Sequence, residues 1–225
     1  MSLIRRTIAV GILSFSAVLE IEAQPTVAID VASQERIKKE LEQRIQSLKS
    51  DPKKLKELRE EGQSRTVLCR TCHGKDGISV KELVPNLAGQ NPVYIVDQFQ
   101  RFSDGRRFDY LMSGLAKSFS DEERINIALY YSSLDKQLGG GVDSPLLPEG
   151  KTVYNEICAE CHGTDGQGQE GYAMLAGQRQ DYVLKMLKEF RDRTGRRSNP
   201  WMSAVALRLS DQQMEAVAAY ITNLK

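Results

Sequence analysis

One short pattern in this sequence reads Cys69-Arg70-Thr71-Cys72-His73, and a second copy reads Cys158-Ala159-Glu160-Cys161-His162. The two copies contain all four cysteines and both histidines of the chain. Two cysteines with two residues between them and a histidine directly after them are the attachment signature of a c-type haem. The thiols form thioethers to the haem, and the adjacent imidazole can coordinate its iron. We therefore predict two covalently bound haem c groups, with these cysteines as attachment points and these histidines as iron ligands.

Other chemistries of paired cysteines fit this sequence less well. A redox dithiol needs no histidine after it, yet both pairs have one. A four-cysteine zinc site usually has about 15–20 residues between its two pairs, and the separation from Cys72 to Cys158 is far longer. A disulfide inside so small a loop would be strained.

The sixth ligand of each iron has to come from a residue other than histidine, and methionine is the expected choice. Met112 and Met202 follow their CxxCH motifs at nearly equal distances, and each precedes a serine. We predict them as the iron ligands of haem 1 and haem 2, in irregular stretches before the last helix of each copy. A packing methionine, or an open iron site in one domain, is the alternative. Met174, Met186 and Met214 are predicted to be packing residues, since the first two have no methionine counterpart and the third lies on an apolar helix face.

The remaining nitrogen of each histidine also needs a partner, because an acceptor orients the ring of a metal-bound imidazole. The backbone carbonyl of Pro85 is the candidate for His73, and that of Ala173 is the candidate for His162.

The chain contains an internal duplication. A Leu-Ala-Gly-Gln turn followed by a tyrosine, a Gly-Arg-Arg run and a Ser-Asp pair each occur twice in the same order. The first copies are Leu87–Gln90 with Tyr94, Gly105–Arg107 and Ser120-Asp121; the second are Leu175–Gln178 with Tyr182, Gly195–Arg197 and Ser210-Asp211. We predict haem domains at residues 63–136 and 150–225, joined by a Gly- and Pro-containing linker at residues 137–149.

Both copies have helical patterns, and nothing in them is typical of a strand. A short helix is predicted before each CxxCH, over residues 63–72 and 151–161, and a second helix is predicted to begin near Pro92 and Gln180. The last helix of each copy starts with a capping box, formed by Ser120 with Glu123 and by Ser210 with Gln213. The fold class is therefore all-α.

The N-terminus has the pattern of an exported protein. Arg5 and Arg6 precede an apolar run from Ile8 to Leu19, and the small residue Ala23 follows. We predict a signal peptide at residues 1–23 and a periplasmic location. The run is too short to cross a bilayer core of about 30 Å. Membrane association would then be peripheral, or through this segment if it is not cleaved.

Residues 24–62 are predicted to be a charged helical extension. Apolar residues recur at helical spacing before and after Asp51-Pro52. The extension is either a helical hairpin packed on the first haem domain, a solvated spacer or a docking element for a partner. The net charge of +1 and the aromatic content of 7% predict no nucleic-acid partner.

The paired CxxCHG motifs, the Leu-Ala-Gly-Gln-x₃-Tyr element, the Gly-Arg-Arg runs and the spaced methionines resemble the cytochrome c4 family over about residues 63–225. The resemblance implies two tandem class I cytochrome c domains, each wrapped around one covalent haem and related by approximate two-fold symmetry. It implies a carrier of single electrons in the periplasm, from a quinol-oxidising complex or a dehydrogenase to a terminal oxidase or another acceptor.

Two other functions are considered. The first is a dihaem electron-accepting subunit of a multi-component dehydrogenase such as a flavocytochrome, since the same tandem plan occurs there. The second is a dihaem enzyme, which is disfavoured because two filled axial positions leave no iron site for a substrate. The role of the Gly-Arg-Arg runs stays open between solvated surface, haem propionate partners and steering of an acidic partner.

Overall fold

The computed structural model describes residues 31–136, 141–168 and 171–225. The predicted signal peptide at residues 1–23 lies outside these ranges, as do residues 137–140 of the predicted linker. The described residues form α-helices and one π-helical turn, with a single isolated backbone bridge, so the all-α prediction is confirmed. The helices are α1 (Val31–Lys49), α2 (Pro52–Arg65), α3 (Arg70–His73), α4 (Pro92–Asp104), α5 (Tyr110–Ser118), α6 (Asp121–Ser132), α7 (Leu147–Val153), α8 (Ala159–His162), α9 (Gln180–Asp192), α10 (Pro200–Ala206) and α11 (Asp211–Asn223), and the π-helical turn is Tyr154–Cys158.

The sequence repeat is a structural repeat. In the first half α2 packs on α6, and α6 also packs on α4. In the second half α7 packs on α11, and α11 also packs on α9. Both predicted capping boxes form, at Ser120 with Glu123 and at Ser210 with Gln213. The repeated pattern of caps and apolar faces therefore gives two helical units of the same plan.

The predicted start of the first haem domain is wrong. The boundary between residues 62 and 63 falls inside α2, whose Leu58 is buried against Ile125 and Leu129 of α6. The Asp51 side chain caps α2, and Pro52 occupies its first turn, where a missing N–H costs nothing. Asp51-Pro52 thus separates α1 from α2 and marks the start of the first helix of the unit.

The helices that precede the two CxxCH motifs also have other bounds than predicted. The helix predicted over residues 63–72 ends at Arg65, and a separate helical turn begins at Arg70. In the second half α7 begins at Leu147, inside the predicted linker, with Pro148 in its first turn. We refer below to residues 52–136 as the first unit and to residues 147–225 as the second unit.

A glycine brings the first and last helices of each unit into backbone contact. A Cβ added at Gly62 of α2 would lie 2.0 Å from the carbonyl oxygen of Asn126, and one added at Gly150 of α7 would lie 2.1 Å from that of Ala216. No side chain fits at either crossing. These close approaches hold the chain just before each CxxCH against the last helix of its unit.

Residues 24–30 of the predicted extension lie outside the described residues. The described part that remains is α1, which packs on α4 and α2 of the first unit. Ile45 is buried there, in a cluster that also contains Leu58 and Val93. Lys38 reaches the second unit, with its ammonium 4.6 Å from the centroid of the Tyr172 ring. The packed arrangement is therefore the one observed, and α1 touches both units. Among the described residues, no helix combines the length and apolarity that a membrane span requires.

We expect Gly62→Ala to destabilise the protein. Alanine favours a helix interior over glycine by about 1 kcal/mol, but the added methyl group would collide with backbone that no rotamer change can move. Overpacking of this kind typically costs about 1–3 kcal/mol, so we expect a net loss of up to about 2 kcal/mol in the free energy of unfolding, measured by urea titration.

Gly114→Ala is the matched control for this experiment. A Cβ at this exposed position in α5 meets no atom within 4 Å, so the same substitution should be neutral or slightly stabilising. Equal stability of the two variants would contradict the close helix crossing.

Candidate haem-binding sites

Each CxxCH motif ends in a single helical turn. In the first unit, α3 starts directly after Cys69 and ends at His73, and Gly74 then leaves the helix with φ +83°. Residues three and four apart lie on one side of such a turn, so Cys69, Cys72 and His73 share a face. The second unit repeats this arrangement, with Gly163 at φ +81° after α8. None of the four cysteines forms a disulfide.

The two histidines are buried and oriented by backbone carbonyls. His73 is 7% exposed, and its Nδ1 lies 3.0 Å from the Pro85 oxygen; His162 is 9% exposed, and its Nδ1 lies 2.9 Å from the Ala173 oxygen. The predicted acceptors are thereby confirmed. A carbonyl oxygen can only accept, so Nδ1 carries the proton in both rings. The lone pair of Nε2 is left for a metal.

The protonation state of both imidazoles suits coordination. Burial lowers the pKa of His73 and of His162, and the hydrogen bonds to Pro85 and Ala173 oppose this in part. The neutral ring is therefore favoured near neutral pH, and only the neutral ring can ligate iron.

Met112 and Met202 lie on short helices, so the predicted irregular conformation is wrong. The Asp109 carboxylate caps α5 by accepting the N–H of Met112 at 3.0 Å, and the Asn199 amide oxygen caps α10 by accepting the N–H of Met202 at 3.1 Å. Neither cap has a Glu or Gln three residues later, the usual sequence sign of a helix start. Each methionine is half-buried and packs against the core of its own unit.

Met174, Met186 and Met214 have the positions that packing residues would have. Met214 is 0% exposed in the core of the second unit. Met186 is also buried, and its sulfur accepts a contact from the Arg197 guanidinium. The backbone N–H of Met174 donates a hydrogen bond to the Gln90 side chain of the first unit, and the Met174 side chain is buried.

The Gly-Arg-Arg runs meet at the contact between the two units. Arg107 and Arg197 form an antiparallel backbone bridge. Arg107 Nη2 donates to the Tyr182 hydroxyl at 2.9 Å, and Arg197 Nη2 donates to the Tyr94 hydroxyl at 2.9 Å. Each tyrosine of the Leu-Ala-Gly-Gln-x₃-Tyr element thus binds the arginine of the opposite unit, in an approximately two-fold arrangement. The solvated-surface option for these two arginines is wrong.

The electrostatics of this contact favour the paired state. Burial alone would raise the pKa of Tyr182, but the guanidinium groups of Arg107 and Arg197 outweigh it and hold this pKa below its ordinary value. Arg107 also lies over the Phe102 ring at 4.3 Å, and Arg197 lies over the Phe190 ring at 4.8 Å. Such stacking is favourable for a guanidinium. Each copy of the sequence contains one such tyrosine and one such arginine. No sequence pattern indicates that the tyrosine of one copy binds the arginine of the other.

The residues of each unit fit a haem c group. Such a haem requires a pair of cysteines outside any disulfide for its attachment, and each unit has one. It also requires iron ligands, and each unit offers a neutral imidazole with an available Nε2 and a half-buried thioether sulfur. An apolar cluster in each unit, containing Cys69 in the first and Cys158 in the second, provides the surroundings of low polarity. Two such units in one chain define a tandem dihaem c-type cytochrome.

Comparison with known proteins gives the family. The Cytochrome c family model matches residues 147–225. Cytochrome c4 of Pseudomonas aeruginosa is 33% identical over 72% of this chain and 87% of its own length. The crystal structure of reduced cytochrome c4 from Pseudomonas stutzeri superposes with a TM-score of 0.68 at 32% identity, covering 74% of this chain and 98% of its own. A protein of Thiomonas intermedia named thiosulfate dehydrogenase electron acceptor is 32% identical over 68% of this chain and 76% of its own length.

The chain belongs to the cytochrome c4 family. It is a dihaem c-type cytochrome with two covalently bound haem groups, and it carries electrons between redox proteins and is not an enzyme.

We expect Tyr182→Phe to weaken the contact between the units. The substitution removes a hydroxyl that both Arg107 and Arg197 use and leaves their half-buried guanidinium groups with one partner fewer. Loss of such a bond to a charged group costs about 1–3 kcal/mol, which thermal or urea unfolding would measure. Tyr110→Phe is the control, since Tyr110 is 92% exposed, and equal stability of the two variants would refute the pairing.

Proposed function

We propose that Cys69 and Cys72 attach haem 1 and that His73 and Met112 ligate its iron. The equivalent set for haem 2 is Cys158, Cys161, His162 and Met202. The observation that carries this proposal is the buried imidazole of each unit, whose Nδ1 is bound to a backbone carbonyl and whose Nε2 is therefore the coordinating atom. The bound haem supplies an iron that takes up and releases one electron.

The protein residues determine what such an iron can do. A histidine and a methionine that both ligate the haem iron would leave it no position for a substrate, and the thioether would favour the ferrous state relative to a second histidine. Because Met112 and Met202 are held by capped helices, their ligation requires little rearrangement between redox states. These properties suit a carrier of single electrons.

The physiological setting belongs to the same proposal. We infer that the protein is exported to the periplasm, supported by the signal-peptide pattern at residues 1–23. There it would accept electrons from a quinol-oxidising complex or a dehydrogenase and pass them to a terminal oxidase or another acceptor of a respiratory chain.

A second candidate is a dihaem electron-accepting subunit of a dehydrogenase. It is favoured by the relative named for thiosulfate dehydrogenase. Native purification distinguishes the two, since a carrier is obtained as a single chain, whereas a subunit is obtained with a flavin- or metal-containing partner. Removing residues 31–62 would not test docking by the extension, because α2 belongs to the first unit.

We expect Met112→Ala and Met202→Ala each to remove about half of the weak far-red absorption band that methionine–iron ligation gives in the oxidised protein. Each change should also lower the midpoint potential of its own haem, because the thioether that favours ferrous iron is gone. The double variant should show no band.

Met214→Leu is the control for these spectra. Met214 is fully buried in the core, and a swap of similar volume usually costs less than about 1.5 kcal/mol. The band should keep its full intensity in this variant. A full band in Met112→Ala or Met202→Ala would rule out the corresponding ligand.

A further inference from the structure

The glutamine of each Leu-Ala-Gly-Gln element crosses into the opposite unit. Gln178 Oε1 accepts the backbone N–H of Asn86 at 2.8 Å, and its Nε2 donates to the Asn86 carbonyl at 3.1 Å. Gln90 Oε1 accepts the backbone N–H of Met174 at 2.7 Å, and its Nε2 donates to the Met174 carbonyl at 2.9 Å. Both side chains are nearly enclosed, at 4% exposure for Gln90 and 5% for Gln178. The two pairs of bonds are reciprocal.

These glutamines bind the same peptide groups that hold the histidines. The peptide group between Pro85 and Asn86 accepts the His73 Nδ1–H through its oxygen and donates its N–H to Gln178. The peptide group between residues 173 and 174 does the same for His162 and Gln90. One planar, conjugated unit therefore joins each imidazole to a side chain of the opposite unit.

Conjugation makes the two bonds of such a peptide group dependent on each other. When the N–H donates to a good acceptor, more negative charge accumulates on the carbonyl oxygen, and that oxygen becomes a better acceptor in turn. A stronger acceptor at Nδ1 makes a metal-bound imidazole more basic. A more basic imidazole stabilises ferric iron over ferrous iron, which lowers the midpoint potential.

We propose that Gln178 is a positioning residue for His73 and that Gln90 is a positioning residue for His162, so that each haem potential is set in part from the opposite unit. The inference rests on the proposed histidine ligation. It gives the Leu-Ala-Gly-Gln repeat a role, because only a side chain with an acceptor and a donor at its end makes both bonds to one backbone segment. It also makes the potentials sensitive to how closely the two units dock.

The test uses Gln178→Leu and Gln90→Leu in the full-length protein with both haems bound. The midpoint potential of each haem is followed by NMR during a redox titration, with the signals assigned through the Met112 and Met202 variants. Gln178→Leu should raise the potential of haem 1 and leave haem 2 unchanged, and Gln90→Leu should do the reverse. We expect about a threefold change in the ratio of reduced to oxidised haem, equal to about 28 mV at 59 mV per tenfold change for one electron.

A second readout follows the histidine proton itself. In the reduced protein the His73 Nδ1–H signal should move upfield in Gln178→Leu, as its hydrogen bond weakens. Gln178→Glu keeps the side-chain length and an accepting oxygen, so it should leave this signal at or downfield of its original position. Tyr110→Phe changes a residue that is 92% exposed and lies outside the contact between the units, and it should leave the His73 signal in place.

The outcomes distinguish the role proposed for the two glutamines from the proposed ligation of iron by the histidines. Unchanged potentials and proton signals in both leucine variants would overturn the inference, as would an equal shift of both haems by a single substitution. A protein whose unsubstituted form shows no haem-bound His73 or His162 signal would instead overturn the proposed function.

Discussion

The structure depends most on the hydrogen bond from each buried histidine to a backbone carbonyl. It leaves Nε2 of each imidazole as the nitrogen available to a metal, and it also fixes the path of the loop after each CxxCH turn. The acceptors are the carbonyls of Pro85 and Ala173. The N–H of the same peptide group, which belongs to the following residue, therefore points away from the histidine. That N–H is bound by a glutamine of the opposite unit. One local constraint therefore links each CxxCH turn to the contact between the units.

The remaining elements support these turns. The crossings at Gly62 and Gly150 hold the helix before each CxxCH directly on the last helix of its unit. The reciprocal pairs of Arg107 with Tyr182 and of Arg197 with Tyr94 fix one unit against the other. A protein that exchanges electrons with partners benefits from such rigidity, because little reorganisation then accompanies the change of iron charge. The two haem units are thus parts of one assembly.

The sequence predicted what depends on short spacing. It predicted the two covalent haem groups, the carbonyl partners of the histidines, the capping boxes at Ser120 and Ser210 and the all-α fold. It misplaced the start of the first unit, because the apolar positions before and after Asp51-Pro52 have the same helical spacing although they belong to different elements. It also missed the pairs that join the units, since these residues lie far apart in the chain and meet only through docking.

The proposed electron-carrier role depends on the ligation of each iron by one histidine and one methionine. X-ray absorption at the iron edge of the oxidised protein can test this ligation, because the nearest shell reports the ligand atoms of both haems together. Histidine–methionine ligation should give an average of one sulfur ligand per iron, with nitrogen at the other positions. A shell with half a sulfur per iron would contradict it for one haem, and a shell without sulfur would contradict it for both.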